Sequence, residues 1–247
     1  MIPFNIPIHW NGKELHADLS AGHCIAIPLD HNFPQPNAFF APLYEASPHR
    51  VDGWVGDTCE GASINFYNVR INPHGNGTHT ECVGHISKDR HSVHNALGPG
   101  RWIAQLISAY PVLQEHGDRM IEGLEWEYGV EAIIIRTLPN QQDKMSRHYG
   151  KTNPPYLNAE IAKEMADKEI LHLLLDLPSV DREEDQGVLA SHKAFWRYPD
   201  NPRFNATITE MIYVDNLIPD GLYLLEIQIP ALQLDAVPSR PYIYPLR

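Results

Sequence analysis

One short segment most constrains how this chain can fold, because residues 72–85 read Asn-Pro-His-Gly-Asn-Gly-Thr-His-Thr-Glu-Cys-Val-Gly-His. The segment places three imidazoles and one carboxylate within twelve positions, at His74, His79, Glu81 and His85. These side chains are typical ligands of zinc, manganese or iron, and a cation held by them can activate water near neutral pH. The segment therefore predicts a metal site.

The spacing of the motif can be tested against strand geometry, in which alternate side chains share a face and each residue advances ~3.3 Å. In a strand, His79 and Glu81 would point the same way and could reach one cation, and His85 has the same parity. His74 does not, and a flat strand would place it well over ~10 Å from His79. We therefore expect a bend at residues 75–77, since glycine adopts positive φ freely and asparagine does so more readily than most residues.

Cys82 lies inside the motif and offers a rival interpretation, a thiol nucleophile with His85 as its base. Adjacent parity would turn Cys82 away from His79 and Glu81 in an extended segment, so we expect it to be a small buried packing residue. The three cysteines are odd in number and form no paired motif, which predicts reduced thiols rather than a disulfide framework.

Residues 77–85 resemble the signature His-x-Gly-Thr-His-x-Asp-x-x-x-His of the cyclase family of metal-dependent hydrolases, which includes bacterial kynurenine formamidases and isatin hydrolases. The chain departs from this signature in three places. The family's first histidine falls on Gly75, so His74 fits if one residue has been inserted after it. The family's aspartate is Glu81, which keeps the charge on a longer arm, and Val83 replaces the usual proline.

The resemblance extends along most of the chain. Further segments similar to the family occur in order at residues 18–20, 132–137, 156–162 and 176–181. Beyond them, His192 and Glu210 match the later histidine and glutamate that, with the acid of the first motif, hold a second ion in binuclear members. From the residues alone, His192 could be a surface histidine on a helix turn and Glu210 an ordinary solvated acid.

The resemblance implies a mixed α/β fold with the family's β/β/α swivelling architecture, and a hydrolase that uses one or two divalent ions, zinc first and manganese second. The implied metal ligands are His74, His79, Glu81, His192 and Glu210. Glu81 would bridge the two ions, and His85 would be the catalytic residue that takes a proton from water and returns it to the leaving nitrogen. By this analogy the leading substrate is an arylformamide such as N-formylkynurenine, cleaved to kynurenine and formate.

Two further carboxylates lie where an apolar run, Leu171–Leu177, is expected to end as a buried strand. Asp176 and Asp181 flank that end, and carboxylates there are well placed for hydrogen bonds to metal-bound histidines. Aspartates that merely form a turn are the alternative interpretation.

Length and composition agree with an enzyme that acts on a small molecule. With 247 residues and no Gly/Ser-rich linker or repeat, the chain is expected to form one domain over residues 1–247. A net charge of −12 without a basic stripe argues against nucleic acid or an anionic membrane surface as partner. Residues 1–10 lack the charged and apolar regions of a signal peptide, and no apolar run approaches ~18 residues, which predicts a cytoplasmic location.

The pattern of apolar residues predicts mixed secondary structure. Strands are predicted at residues 64–71, 132–137, 171–177 and 223–229. Helices are predicted at residues 101–107 and 158–168, the latter with Asn158 as its cap and Glu160 in its first turn. The resemblance further implies a homo-oligomer, a dimer or higher, with an aromatic side chain of one subunit near the other's site. Trp10 and Trp54 are both candidates for that aromatic.

Two alternatives to an arylformamidase remain open. One is a lactonase or an isatin hydrolase-type enzyme of the same family, because substrate choice depends on loop aromatics that the sequence does not locate. The other is a degenerate, non-catalytic homologue that binds a small molecule, suggested by the displaced first histidine and the change from aspartate to glutamate.

Overall fold

A computed structural model describes residues 4–247. Its strands are β1 (Asn5–Trp10), β2 (Lys13–Asp18), β3 (His23–Cys24), β4 (Glu45–Pro48), β5 (Arg50–Val51), β6 (Trp54–Val55), β7 (Tyr67–Arg70), β8 (His79–Cys82), β9 (Trp102–Ala109), β10 (Val112–Leu113), β11 (Arg119–Ile121), β12 (Ala132–Thr137), β13 (Tyr156–Leu157), β14 (His172–Leu175), β15 (Thr207–Glu210), β16 (Gly221–Gln228), β17 (Ala236–Pro238) and β18 (Arg240–Pro245). Its helices are α1 (Val93–Ala96), α2 (Ala159–Asp167) and α3 (Ala190–Trp196), with 3₁₀ turns at Thr58–Glu60, Val83–His85 and Gln142–Met145.

Nine strands form the main sheet in the order β17-β8-β15-β14-β12-β9-β16-β18-β3. The four neighbours β15, β14, β12 and β9 are parallel, and the strands outside them pair antiparallel. α2 lies in the connection from β12 to β14, and α3 in the connection from β14 to β15. This mixed sheet with few helices confirms the predicted mixed α/β fold.

Both faces of the parallel strands are buried. On one face, Ile133 of β12 and Leu173 of β14 share a core with Met165 of α2 and Phe195 of α3. The adjacent residue Ile134 belongs to a second core on the opposite face. Burial on both faces explains why these strands are continuous apolar runs in the sequence, with all six residues of β12 buried.

All four predicted strands are present, as β7, β12, β14 and β16. The predicted helix over residues 158–168 is also confirmed, as α2. The Asn158 side chain caps it by accepting a hydrogen bond of 2.8 Å from the backbone N–H of Glu160.

The helix predicted at residues 101–107 is wrong, because this segment forms β9. Its side chains alternate between the two cores. Ile103 and Ile107 belong with the core under the helices, and Ala104 and Leu106 with the opposite core. β9 also pairs along both edges, with β12 and β16. This pairing and burial outweigh the helix propensity of its alanine, glutamine and leucine residues.

Residues 45–70, which we call the hairpin segment, lie outside the main sheet. β4 and β7 pair antiparallel in this segment, and β5 pairs with β6 between them. Its exposed large apolar side chains are Val51, Trp54, Ile64, Phe66, Tyr67 and Val69.

Within residues 4–247, none of the helices is long and apolar enough to cross a membrane. The prediction that residues 1–10 are not a signal peptide depends in part on residues 1–3. These three lie outside the described residues.

Candidate active site

The pairing of β8 with β15 creates the centre of the site. The two strands are antiparallel, with His79 opposite Glu210 and Glu81 opposite Ile208. Because Ile208 packs in the core under the helices, the three polar residues share that face. One ligand atom from each of His79, Glu81 and Glu210 lies within 4.8 Å of the others. The parity predicted for His79 and Glu81 is confirmed.

A bend in the backbone brings His74 to this centre. The carbonyl of Asn72 accepts hydrogen bonds from the backbone N–H groups of Gly75 and Asn76, and Gly77 has a φ of +78°. His74 Nδ1 therefore lies 3.2 Å from Glu81 Oε2. The expected bend at residues 75–77 is confirmed, and it depends on the positive φ that glycine adopts without strain.

Position 75, on which the family's first histidine falls, has no room for a side chain. A Cβ atom on Gly75 would collide with the Cβ of Ala41 and lie 3.1 Å from the carbonyl oxygen of Ala38. The imidazole at this end of the motif is therefore that of His74.

α3 supplies a fourth imidazole. His192 is buried, its Nε2 lies 3.1 Å from Glu81 Oε1, and its Nδ1 lies 2.6 Å from Asp181 Oδ2. The alternative interpretations of His192 as a surface residue and of Glu210 as a solvated acid are both wrong. Glu210 is only 3% exposed and accepts a hydrogen bond from the backbone N–H of Val180.

The two flanking aspartates differ in role. Asp181 makes the expected hydrogen bond to a site histidine. The same expectation for Asp176 is wrong, because its carboxylate accepts hydrogen bonds from Lys144 Nζ at 2.8 Å and from the backbone N–H of Thr137. Asp176, directly after β14, thus forms a buried ion pair with the 3₁₀ turn Gln142–Met145 and a hydrogen bond with the end of β12.

Asp235 is a site residue that the sequence did not reveal. Its Oδ2 lies 3.1 Å from His74 Nε2 and 3.7 Å from His85 Nδ1. It directly precedes β17, which pairs with β8 so that Ala236 lies opposite Glu81. No local pattern around residue 235 predicts this position, because it depends on strand pairing between distant parts of the chain.

The geometry fits a divalent cation. His79 Nε2 and Glu81 Oε2 are buried, and their contacts to Glu210 Oε2 at 3.4 Å and to His74 Nδ1 at 3.2 Å lack the geometry of a hydrogen bond. Such orphaned atoms are rare in native proteins, and an imidazole nitrogen beside a carboxylate oxygen is a donor set for zinc or manganese. Two overlapping groups could hold a cation, His74 with Glu81 and His85, and His79 with Glu81 and Glu210.

When no cation is bound, protonated histidines balance the negative charge of the carboxylates in the site. Burial disfavours a charged His192, but hydrogen bonds with Asp181 and Glu81 outweigh it and raise its pKa to about 10. His74 behaves in the same way, with Asp235 and Glu81 raising its pKa to about 10 against the effect of burial. Burial also opposes ionisation of Glu81, yet the surrounding imidazoles hold the pKa of this carboxyl well below its usual range.

Cys82 faces away from this cluster, as predicted. It is fully buried in the core on the opposite face of the sheet, where burial raises the pKa of its thiol to about 11. A buried thiol that stays protonated is a packing residue and not a nucleophile. Cys24, Cys59 and Cys82 are all free cysteines.

Comparison with known proteins places the chain in a family. The family model described as "Putative cyclase" matches residues 18–182, and the chain belongs to this family. It is 26% identical to the kynurenine formamidase of Bacillus mycoides (strain KBAB4) over 213 residues, 78% of this chain and 91% of the relative. It is 28% identical to that of Bacillus cytotoxicus over 217 residues, 80% of this chain and 93% of the relative.

Solved structures share the fold. One described as a predicted metal-dependent hydrolase from Bacillus stearothermophilus superposes with a TM-score of 0.61 at 14% identity, over 90% of this chain and 97% of that one. An isatin hydrolase bound to the product analogue thioisatinate gives 0.60 at 13% identity, over 92% and 94%. The chain is therefore a hydrolase of the cyclase family, and its histidine and glutamate groups suggest a divalent metal.

Binding of a cation should release protons. His74 and His192 have pKa values raised to about 10, so both carry a proton at neutral pH in the metal-free protein, whereas a metal ligand must be a neutral imidazole. The apparent affinity of the protein for Zn²⁺ should therefore rise with pH up to about 10. Calorimetric titration of Zn²⁺ at about pH 6.5, 7.5 and 8.5, in buffers of different ionisation enthalpy, measures the protons released.

His192→Asn should reduce the proton release by about one, whereas His94→Asn, which removes an exposed imidazole of α1, should leave it unchanged. An affinity that does not vary with pH would contradict this account of the site.

Proposed function

We propose that this hydrolase cleaves the amide bond of an arylformamide, with N-formylkynurenine as the leading substrate and kynurenine and formate as products. The observation that carries the proposal is the buried carboxylate of Glu81, which has imidazoles within 4.0 Å on several sides. The kynurenine formamidases to which the chain is similar support the choice of substrate.

We assign the metal ligands as His74, His79, Glu81, His192 and Glu210, with zinc as the first choice of metal and manganese as the second. The two oxygens of Glu81 support a bridging role, because Oε1 faces His192 at 3.1 Å and Oε2 faces His74 at 3.2 Å. When bound, one or two divalent ions supply a polarised carbonyl and a lowered pKa for water.

His85 is suited to move a proton. It lies 3.9 Å from Glu81 Oε2, farther than His74 or His192, and its side chain is 31% exposed. As the water oxygen adds to the formyl carbon, a proton of that water passes to His85 Nε2. The carbon–nitrogen bond then breaks, the leaving nitrogen keeps the electron pair and takes the proton back from His85, and formic acid departs and loses its proton to solvent to give formate.

A second candidate function is hydrolysis of a cyclic amide or a lactone. An isatin hydrolase is among the structures that share this fold. The roles assigned to the metal ligands and to His85 would be the same, since water again attacks a carbonyl carbon and a ring heteroatom takes the proton. A homologue that binds a small molecule without cleaving it is the alternative outside catalysis.

Hydrolysis of N-formylkynurenine should be measurable and metal-dependent. We expect the highest kcat/KM for N-formylkynurenine in a panel with isatin and simple lactones, complete loss after chelation, and recovery with Zn²⁺ or Mn²⁺, because the donor set suits both ions. Preference for isatin or a lactone would favour the second candidate. Tightly held metal without turnover of any compound would favour a binding homologue, and protein without metal would contradict the proposed site.

Substitutions should separate the proton carrier from the ligands. His85→Ala should lower kcat by ~10²–10⁴-fold while metal content stays near that of the wild type, the loss typical of a general acid–base group. His79→Ala and Glu81→Ala should remove metal together with activity. His94→Ala serves as the matched control, because this imidazole is exposed on α1. Loss of metal in His85→Ala would show that His85 is a ligand.

We also propose that two copies of the chain associate through the hairpin segment, with a higher oligomer as the alternative. The exposed apolar side chains of the segment support this interface. Both ends of the segment are near the site: Pro42, before it, accepts a hydrogen bond from Asn76, and β7 leads into the motif. Trp54 is 38% exposed, whereas Trp10 is buried and donates to the carbonyl of Gly129, so Trp54 is the aromatic available to a partner.

The double variant Trp54→Ser/Phe66→Ser should shift the sedimenting species from dimer to monomer, because it removes two large apolar side chains from the proposed interface. Tyr128→Ser/Leu217→Ser is the matched control, since these side chains are 90% and 92% exposed outside the hairpin segment. A wild-type protein that sediments as a monomer would contradict the proposal.

The remaining assignments concern the setting of the enzyme. We propose that it acts in the cytoplasm on a small molecule, as a single domain over residues 1–247. The net charge of −12 disfavours nucleic acid and an anionic membrane as partners.

A further inference from the structure

In two of the site histidines, one ring nitrogen faces the centre of the site and the other contacts an acceptor outside it. His79 Nδ1 lies 3.0 Å from the carbonyl oxygen of Gly77, which leaves its Nε2 toward Glu210. His192 Nδ1 lies 2.6 Å from Asp181, which leaves its Nε2 toward Glu81. Acceptors of this kind fix the tautomer and orientation of a metal-binding imidazole.

The other two histidines both face the carboxylate of Asp235, His74 through a hydrogen bond and His85 through a longer ion-pair contact. His74 places its Nδ1 3.2 Å from Glu81 and its Nε2 3.1 Å from Asp235 Oδ2. His85 places its Nε2 3.9 Å from Glu81 and its Nδ1 3.7 Å from the same Oδ2 atom. One carboxylate oxygen therefore faces the outer nitrogens of both rings.

We propose that Asp235 is the positioning residue of this site, a single carboxylate that orients both the ligand His74 and the proton carrier His85. The inference deepens the proposed function and rests on it for the role of His85. It assigns to Asp235, for two imidazoles at once, the task that Asp181 performs for His192.

Strand pairing holds Asp235 in place independently of its side chain. Its backbone carbonyl accepts a hydrogen bond of 3.0 Å from the N–H of Cys82, and Ala236 pairs opposite Glu81. A change at the carboxylate should therefore leave the backbone at residue 235 where it is.

Asp235 orients the rings and does not itself belong to the metal-binding set. The two ring nitrogens of His74 point away from each other, and Nδ1 is the one that faces Glu81. The Asp235 oxygen lies on the Nε2 side, so it contacts the ring from the side opposite Glu81. Its side chain is 41% exposed, whereas that of Glu81 is buried, which places Asp235 at the outer edge of the site.

The test compares Asp235→Asn with Asp200→Asn. Both substitutions remove one negative charge and keep the shape of the side chain, and Asp200 is exposed on the turn after α3. The affinity for Zn²⁺ is measured by competition with a chelator, without substrate. We expect Asp235→Asn to weaken Zn²⁺ binding roughly 10–100-fold, as loss of a partner behind a metal-bound histidine does. Asp200→Asn should bind as the wild type does.

A second readout follows the imidazoles directly. In ¹⁵N spectra of the Zn²⁺-loaded protein, His85 of Asp235→Asn should lose its single-tautomer pattern, and the Nε2 signal of His74 should shift because its partner is changed, while His79 and His192 keep their patterns because their acceptors are untouched. The kcat for N-formylkynurenine should fall with little change in KM, since no group that contacts substrate is removed.

Wild-type Zn²⁺ affinity with unchanged patterns at His74 and His85 would overturn the proposal. So would an equal disturbance of all four histidines, or an equal effect of Asp200→Asn. The Zn²⁺ and ¹⁵N measurements use no substrate. A wild-type protein that is inactive on formamides would therefore refute the proposed function, and the Zn²⁺ and ¹⁵N measurements would still decide whether Asp235 positions the two histidines.

Discussion

The register of β8 against β15 is the constraint on which the rest of the site depends. It places Glu81, fully buried, on the same face as His79 and Glu210. A shift by one residue would turn these side chains into the opposite core and bring Thr80 and Cys82 into the site. On that opposite face, the hydroxyls of Thr80 and Thr209 lie 2.8 Å apart, a buried contact that only the observed register makes. A buried carboxylate is costly without partners, and here the imidazoles supply them.

The sequence predicts those site contacts that join residues close together in the chain, and it misses those that join distant residues. His79 and Glu81 are two residues apart, so strand parity alone predicts that they meet. The approach of His74 is also local, since it needs only glycines that permit a bend. His192 comes from α3 and Glu210 from β15, and only the family resemblance identified them. Asp235 had neither signal, because strand pairing across the whole chain brings it to the site.

The same reasoning applies to the fold. The apolar run at the start of β12 predicted a strand correctly, because a segment buried on both faces is apolar at consecutive positions and shows no helical period. β9 was predicted as a helix from residues that favour one, and the deciding contacts lie on β12 and β16, which local propensity does not include. Asp176 is a single side chain whose contact local sequence also fails to predict. Its partner Lys144 lies 32 residues earlier in the chain, so the aspartate is committed to an ion pair that the strand end alone did not suggest.

The two departures from the family signature in the metal-binding positions fall on residues that touch each other. The glutamate at position 81 carries its carboxylate one methylene farther than an aspartate would, and the histidine has moved back by one position to residue 74. Position 75 is closed to any side chain by Ala41, so an imidazole at this end of the motif has to start from the neighbouring residue. The longer arm and the displaced ring meet at 3.2 Å, which shows that both changes act on one contact. The two departures thus leave an imidazole beside the buried carboxylate, with one side chain lengthened where the other starts from a different backbone position.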